Sequence, residues 1–264
     1  MNVTLLLPDG CADSAQFSDY LLKRCWTAAR TCYSEDTPEE LWAAAPSPKR
    51  MQRLLDDVII PSGHLSVLRH AEISYAISGI SRACSHQLVR HHVGFSPEQQ
   101  SQRYTTMSGA DVVIPPSIAN NPAALDEFSR AMQTVEEVYT YLQSFGIPNE
   151  DARFVLPNAC TTNLVLTMNL NSLITVCGDR LCSLSQWEIR KLFAMIRNRT
   201  IKAVPFLKNH LVIKCQRLGY CPEIKGNADG HCRIRPLKAA VLAAYAQREA
   251  TRGQGAPTEA TECH

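Results

Sequence analysis

Residues 89–104 read VRHHVGFSPEQQSQRY. Within this stretch fall Arg90, Arg103, the adjacent His91 and His92, the glutamines Gln99, Gln100 and Gln102, and the serines Ser96 and Ser101. Glu98 is its one acid, and it holds no lysine. A solvated loop mixes acids with lysines, whereas this segment concentrates planar hydrogen-bonding groups. Guanidinium forks match phosphate or carboxylate oxygens in pairs. Glutamine and serine add neutral partners for a ring edge or a sugar hydroxyl. Two readings stand side by side. Gln87, Arg90, Ser101 and Arg103 suit a phosphorylated planar ligand such as a nucleotide, or the same residues close a helix C-terminus as a polar network in which the histidines favour the dipole.

Working outward, Ser81 is placed to cap a helix through RACSHQLVRHH (82–92), with Ala83, Cys84 and Leu88 inward. Gln87, Arg90 and His91 then share one helix face, and the quoted stretch is a helix end spilling into a loop at Gly94. Before it, HAEISYAISGIS (70–81) alternates Ile73, Tyr75 and Ile77 with polar residues, the pattern of a half-buried strand. A first strand is expected over Val3–Leu7, ended by the Pro8-Asp9-Gly10 turn. Helices are expected over 17–33 and Met51–Ile60, with a short one inside the proline-rich 34–49. A long amphipathic helix fits 122–145 and a shorter one 149–156, before Pro157. TNLVLTMN (162–169) reads as another strand, followed by helices at 170–181 and 185–203. Ser185 and Glu188 have capping-box spacing for the last of these. Trp187, spaced with Ile189 or Phe193, reads as core. Beyond Pro236 an alanine-rich helix leads to TRGQGAPTEATECH (251–264), expected to be disordered.

At 264 residues the chain can bury a substantial core. Its 45% hydrophobic and 20% charged content is that of an ordinary globular protein, and a net charge of +2 argues against a strongly basic nucleic-acid binder. No apolar run approaches the ~20 residues that span a bilayer. MNVTLLLPDGCADS lacks the basic lead-in of a secretory signal, so a cytoplasmic location is expected. The eleven cysteines then read as reduced thiols. Cys25, Cys84 and Cys177 sit among apolar neighbours as small core residues. Cys215, Cys221 and Cys232 gather late, beside His231; a zinc knob is conceivable there, but the gaps lack paired Cys-x-x-Cys spacing, so no metal is assigned and the question stays open. His64, His70, His91 and His92 also lack the spacing of a metal site, and adjacent histidines at a helix end point to opposite sides.

Several segments stand in a fixed order: AARTCYS (28–34), SGHLSVLRH (62–70), SRACSHQLVRHH (81–92), ARFVLPN (152–158), VLTMN (165–169) and DRLCSLSQWEIR (179–190). Together with Arg90-His91-His92 and Ser101-Gln102-Arg103-Tyr104, from about residue 27 to 215, they resemble the flavin-dependent thymidylate synthases. The signature of that family is an Arg-His-Arg triplet followed by Ser-x-Arg-Tyr. The resemblance implies an α+β fold, a single domain over 1–236 with a mixed or antiparallel sheet packed by long helices, and an appended 237–264. It implies a homotetramer with active sites between subunits. The implied reaction makes dTMP from dUMP, taking a methylene from methylenetetrahydrofolate and a hydride from FAD that NADPH reduces. No cysteine nucleophile is implied.

Carried over by position, Gln87, Arg90, Gln99, Gln100, Ser101, Gln102 and Arg103 contact dUMP, and Arg153 and Arg180 reach it from a neighbouring subunit. Arg180 near a uracil oxygen would stabilise charge developing on the ring; with Ser101, Arg103 and His64 it forms the implied catalytic set. His64, Ser66, Arg90, His91, His92, Asn169, Asn171 and Thr175 are implied for FAD. Each also has a plainer reading: Asn169 ends a strand, Arg153 pairs with Asp151, and His64 is a turn histidine.

Four departures from the family pattern stand out. His92 takes the place of the triplet's second arginine, one extra residue enters around Ser96-Pro97-Glu98, Arg69 takes a place of an acid or small residue, and Asn171 replaces an arginine. A charge-assisted hydrogen bond is worth on the order of 1.5–3 kcal/mol, so weakened FAD binding is expected, made pH-sensitive by a group that titrates near neutrality. A paralogue modifying another uracil nucleotide, or a non-catalytic nucleotide- or RNA-binding protein retaining the fold, are the alternatives.

Overall fold

Alternating burial along two long strands builds the centre of the molecule. The computed structural model describes residues 1–7, 14–223, 232 and 235–253. Four strands, β1 (Asn2–Leu6), β2 (Glu72–Ser81), β3 (Phe95–Gln99) and β4 (Thr161–Asn169), form one antiparallel sheet in the order β1-β2-β4-β3. Ile73, Tyr75 and Ile77 of β2 and Leu164, Leu166 and Met168 of β4 all point to one buried face. On the other face Ser74 and Thr167 share a hydrogen bond of 2.8 Å. Gly79, at φ +68°, carries a bulge between Ile77 and Ile80, after which Ile80 and Ser81 are both buried.

The helices are α1 (Ser14–Thr31), α2 (Pro38–Ala43), α3 (Pro48–Leu54), α4 (Arg82–Leu88), α5 (Pro116–Ala119), α6 (Pro122–Ser144), α7 (Asn149–Ala152), α8 (Leu170–Arg180), α9 (Trp187–Ala203), α10 (Lys214–Leu218) and α11 (Lys238–Gly253). The fold is α+β. Phe17, Leu21, Leu22 and Cys25 of α1, Leu173 and Cys177 of α8, and Ile189, Leu192, Phe193 and Ile196 of α9 join the strand residues in one core. Tyr75 reaches through it to Thr200 at 2.6 Å. A second, smaller cluster forms where Tyr139 of α6 meets Met107, Ala152 and Cys160. No described helix is long and apolar enough to cross a membrane.

Several expectations need correction. The segment 95–99, a loop by its sequence, is β3, an edge strand, where Pro97 is tolerated because its missing N–H faces no partner. The helix over 82–92 stops at Leu88, so Arg90 and His91 lie in the turn beyond it. The helix at Met51–Ile60 divides into α3 and a π-helical turn, Leu55–Ile59. The segment 149–156 divides into α7 and a 3₁₀ turn at Arg153–Val155. Residues 251–253 of the expected tail belong to α11; residues 254–264 and the Pro8-Asp9-Gly10 turn lie outside the described residues. Trp187 is only half-buried at the start of α9, leaving Ile189, Leu192 and Phe193 as its core face.

The Ser185–Glu188 capping box does not form. The Gln186 side chain caps α9 instead, accepting from the N–H groups of Glu188 (2.8 Å) and Ile189 (3.1 Å). Glu188 is buried and turned to another task. Its carboxylate accepts the Ser81 backbone N–H at 2.7 Å and the Ser81 hydroxyl at 2.5 Å. Replacing Glu188 with alanine leaves both Ser81 donors unpaired in the core. Loss of roughly 1–3 kcal/mol per stranded group is expected, read as a lower midpoint in urea unfolding. Exposed Glu137→Ala, as control, should leave the midpoint unchanged.

Candidate functional site

Ser81 shapes the site from below. Its hydroxyl accepts the Cys84 N–H at 2.9 Å, capping α4 in the expected way. Helix α4 carries Gln87 to the wall of a cleft and delivers the chain to His91. From the opposite side, α8 ends at Arg180. The Arg180 guanidinium donates through Nε to His91 Nε2 at 2.9 Å and through Nη2 to the Gln87 carbonyl at 3.3 Å. The cleft they line measures about 540 Å³ and continues along Ser183, Ser185, Gln186 and Lys214. The resemblance implies that Arg180 and Arg153 reach the nucleotide from a neighbouring subunit; within one chain Arg180 contacts Gln87 and His91 and does not share a cleft with Arg153. The reason is topological, because α8 follows β4, and β4 neighbours the strand that feeds α4.

A second polar cluster forms elsewhere. Arg103 pairs with the Glu150 carboxylate, and Arg153 Nε donates to the Glu150 carbonyl at 3.1 Å. Arg153 therefore does not pair with Asp151. The Ser101 hydroxyl oxygen accepts the Arg103 N–H at 3.1 Å. Arg82 stands close enough to feel Arg153, and burial together with that like charge holds its pKa below the usual arginine range. Neither Arg103 nor Arg153 lines the cleft of Arg180. Tyr104 and Phe154 beside them are 78% and 83% exposed, so this cluster ends in bare aromatic surface. Glu150 and Arg82 are absent from the sequence-based set; the spacing of Glu150 three residues before Arg153 was the available signal.

Gln99 and Gln100 have work inside the frame. Gln99 Nε2 donates to Ser85 Oγ (3.0 Å) and Thr162 Oγ1 (3.1 Å), tying β3 to α4 and β4. Gln100 Oε1 accepts from Asn163 Nδ2 at 2.9 Å. The resemblance implies both for dUMP; within this chain their side chains bond Ser85, Thr162 and Asn163. Gln102 stands near the Cys160 thiol.

The third group surrounds the N-terminus of α8. Asn169 ends β4 and its Oδ1 accepts the Ser172 N–H at 2.9 Å, capping α8. Its own N–H donates to the Gly94 carbonyl at 3.1 Å, while the Ser172 hydroxyl bonds the Val93 carbonyl. Gly94 has φ +61°, and a Cβ there would stand 1.9 Å from Asn169 Nδ2, so only glycine fits. Leu170 N–H reaches the Ala71 carbonyl at 2.9 Å, which draws the 3₁₀ helix Leu65–His70 to the same junction. His64, Ser66, Arg90, His92 and Thr175 are exposed, and Asn171 is half-buried. His92 Nδ1 lies 3.2 Å from the Arg90 carbonyl.

His91 is half-buried, with its ring 5.7 Å from that of Phe95. Burial, then the adjacent Arg180 charge, lowers its pKa from the ordinary 6.5. The ring is therefore neutral at pH 7 and offers Nε2 to Arg180. An unfolded chain takes up the proton more readily, so the ring's contribution is present above about pH 6.5 and is lost as pH falls below it toward the folded-state value. In urea titrations at several pH values, His91→Gln should remove that part of the acid-side loss of stability. An unchanged pH profile would count against the neutral ring.

Comparison with known proteins places this geometry. Residues 18–206 match the family model described as thymidylate synthase complementing protein. A protein of Nitratidesulfovibrio vulgaris named flavin-dependent thymidylate synthase is 38% identical over 213 residues, covering 76% of this chain and 86% of that protein. One of the same name from Geobacter sulfurreducens is 45% identical, over 67% of this chain and 75% of its own. Another from Thermococcus onnurineus is 41% identical over 62% of this chain and 70% of its own. The matched span contains all three polar groups described above, and the chain belongs to the thymidylate synthase complementing protein family, a family of enzymes.

Proposed function

We propose that this enzyme makes dTMP from dUMP by FAD-dependent reductive methylation, with methylenetetrahydrofolate as one-carbon donor and NADPH as reductant. The observation that carries the reading is the presence, inside the matched span, of two separate arginine half-sites: Gln87–His91–Arg180 and Ser101–Arg103–Arg153. A nucleotide needs both ends held. Arg103 and Arg153 suit the phosphate, with Glu150 positioning them and the Ser101 O–H left to donate. Arg180 keeps N–H groups beyond those used on His91 and Gln87, and these suit a uracil oxygen on which charge develops. Arg90, exposed beside the cleft, adds a further cation.

The α8 junction is chemically suited to FAD. His64, Ser66, Arg90, His91, His92, Asn169, Asn171 and Thr175 include no acid, and several are exposed around one helix N-terminus, a favourable place for phosphate. The Gly94 backbone packs there without a side chain. FAD, when bound, supplies the hydride; His64 and Ser66 with Asn169 and Thr175 would hold it, and Arg180 would orient the pyrimidine. No thiol is needed. Burial pushes Cys84 and Cys177 up to about 12, so neither is a ready nucleophile.

In this reading residues 1–236 form the catalytic domain, 237–264 are an appendage, and the protein works in the cytoplasm as a homotetramer. Exposed Tyr141, Phe145 and Phe154 support assembly, because a free chain would leave these aromatic surfaces in water. The two half-sites complete each other when they come from different chains.

The purified protein is expected to be yellow and to bleach with NADPH, and dTMP should form when dUMP and methylenetetrahydrofolate are added. A colourless protein that does not oxidise NADPH would overturn the reading. Arg153→Ala and Arg180→Ala should each be inactive, yet co-assembled in equal amounts they should restore up to about a quarter of the sites. No recovery on mixing would mean that each site is built from one chain.

A further inference from the structure

Four cysteines line the cleft: Cys182, Cys215, Cys221 and Cys232. They arrive from separate places in the chain. Cys182 lies in the turn after α8, two residues beyond Arg180, and Cys215 lies in the first turn of α10. Cys221 is anchored by a short bridge to Leu237, its N–H donating to the Pro236 carbonyl at 2.8 Å. Cys215 stands within electrostatic reach of Cys182, Cys221 and Cys232 together. By contrast Cys25, Cys84 and Cys177 are dispersed through the apolar core, and Cys32 is exposed alone. Cys215, Cys221 and Cys232 lie beyond residue 206, where the family match ends.

We propose that Cys182, Cys215, Cys221 and Cys232 bind one zinc ion as a tetrathiolate site that ties the segment after α9 to the turn carrying Arg180. Soft thiolates in a group of four select zinc in tetrahedral geometry. The structure sets the four around one cleft without closing them: among the described residues no three such side chains stand in metal-binding geometry. The ion itself draws them in, and binding releases the thiol protons to solvent, so affinity falls with falling pH. The surroundings suit the negative charge of four thiolates on a divalent ion. Lys214 and Arg235 line the same cleft, against the single carboxylates of Glu223 and Asp179, the latter paired with Lys214 at 3.8 Å.

The fold gives the site a purpose. Two contacts hold the front of this segment: Arg197 Nε donates to the Leu211 carbonyl at 2.7 Å, and Arg217 crosses over Gly178, where an added Cβ would stand 2.5 Å from its Nη2. Beyond α10, buried apolar residues become scarce, with Cys221 the one buried residue described from 219 to 223. A metal staple supplies the folding energy that such a segment lacks. Through Cys182 it also fixes the turn between Arg180 and the Gln186 cap of α9.

The test uses the full-length protein purified with zinc present. Elemental analysis should find about one zinc per chain, and replacement by cobalt(II) should give the thiolate charge-transfer and visible bands of a tetrahedral sulfur shell. Alkylation followed by mass spectrometry should modify Cys32 at once, and Cys182, Cys215, Cys221 and Cys232 only after chelation. Cys221→Ser should lose the metal, whereas Cys32→Ser should keep it. Absence of zinc, iron with inorganic sulfide in its place, or full zinc retention in a Cys182→Ser/Cys221→Ser double variant would each overturn the proposal. Should Cys221→Ser fail to fold, the wild-type alkylation pattern decides alone.

Discussion

Glu188, buried at 1% exposure in the first turn of α9, accepts the N–H and the hydroxyl of Ser81 where β2 ends and α4 begins. A carboxylate out of water is costly unless its oxygens are bonded, and here each oxygen has a donor. The same Ser81 hydroxyl accepts from Cys84 and so starts α4. One serine thus uses its donor on the core and its acceptor on the helix that leads to the site. The position of Gln87 and His91 depends on that junction, because α4 is too short to be held by its own hydrogen bonds. Helix α9 adds a favourable field, since the carboxylate sits at its positive end.

Much of this frame was legible because burial period and burial direction agree. Ile73, Tyr75 and Ile77 alternate, Tyr75 and Ile77 pair with Leu166 and Leu164, and the strands were readable to within two residues. The long helices were readable for the same reason. Elements whose local chemistry is overruled by a distant partner were not. β3 contains Pro97 and Glu98, which argue against a strand, and only pairing with β4 makes it one. Glu188 satisfied a local capping pattern, but a buried serine more than a hundred positions away takes its carboxylate. No local rule reveals such a partner.

The candidate residues can be named from the sequence, but their arrangement cannot. The conspicuous polar run supplied Arg90, His91, Ser101 and Arg103, and the resemblance supplied Arg153 and Arg180. Which of these stand together depends on the strand order. With β4 between β2 and β3, helix α8 emerges beside the end of α4, and Arg180 meets His91. The 99–103 segment leaves along the far edge and meets α7, so Arg103 and Arg153 share Glu150 instead. Gln99 and Gln100, which the resemblance implies for dUMP, carry hydrogen bonds to Ser85, Thr162 and Asn163 that no local pattern announces.

Electrostatics explains why Arg180 is given a histidine rather than an acid. A carboxylate in that place would offset part of the guanidinium charge, as Glu150 does at Arg103, where Arg153 stands beside the pair to add a second cation. A neutral imidazole accepts the Nε–H and fixes the plane of the fork while leaving its full charge available. For that purpose the ring has to stay unprotonated, and the molecule secures this by half-burying His91 against Phe95 and placing it beside the very cation it orients. The arrangement is self-consistent: the charge of Arg180 keeps its own support neutral, and the neutral support keeps Arg180 aimed. Asp179, next in the chain, pulls the opposite way on His91, and its own near cation is Lys214 at 3.8 Å. The orientation of one arginine therefore depends on the His91 ring and the Gln87 carbonyl, both supplied by the chain at and beyond α4.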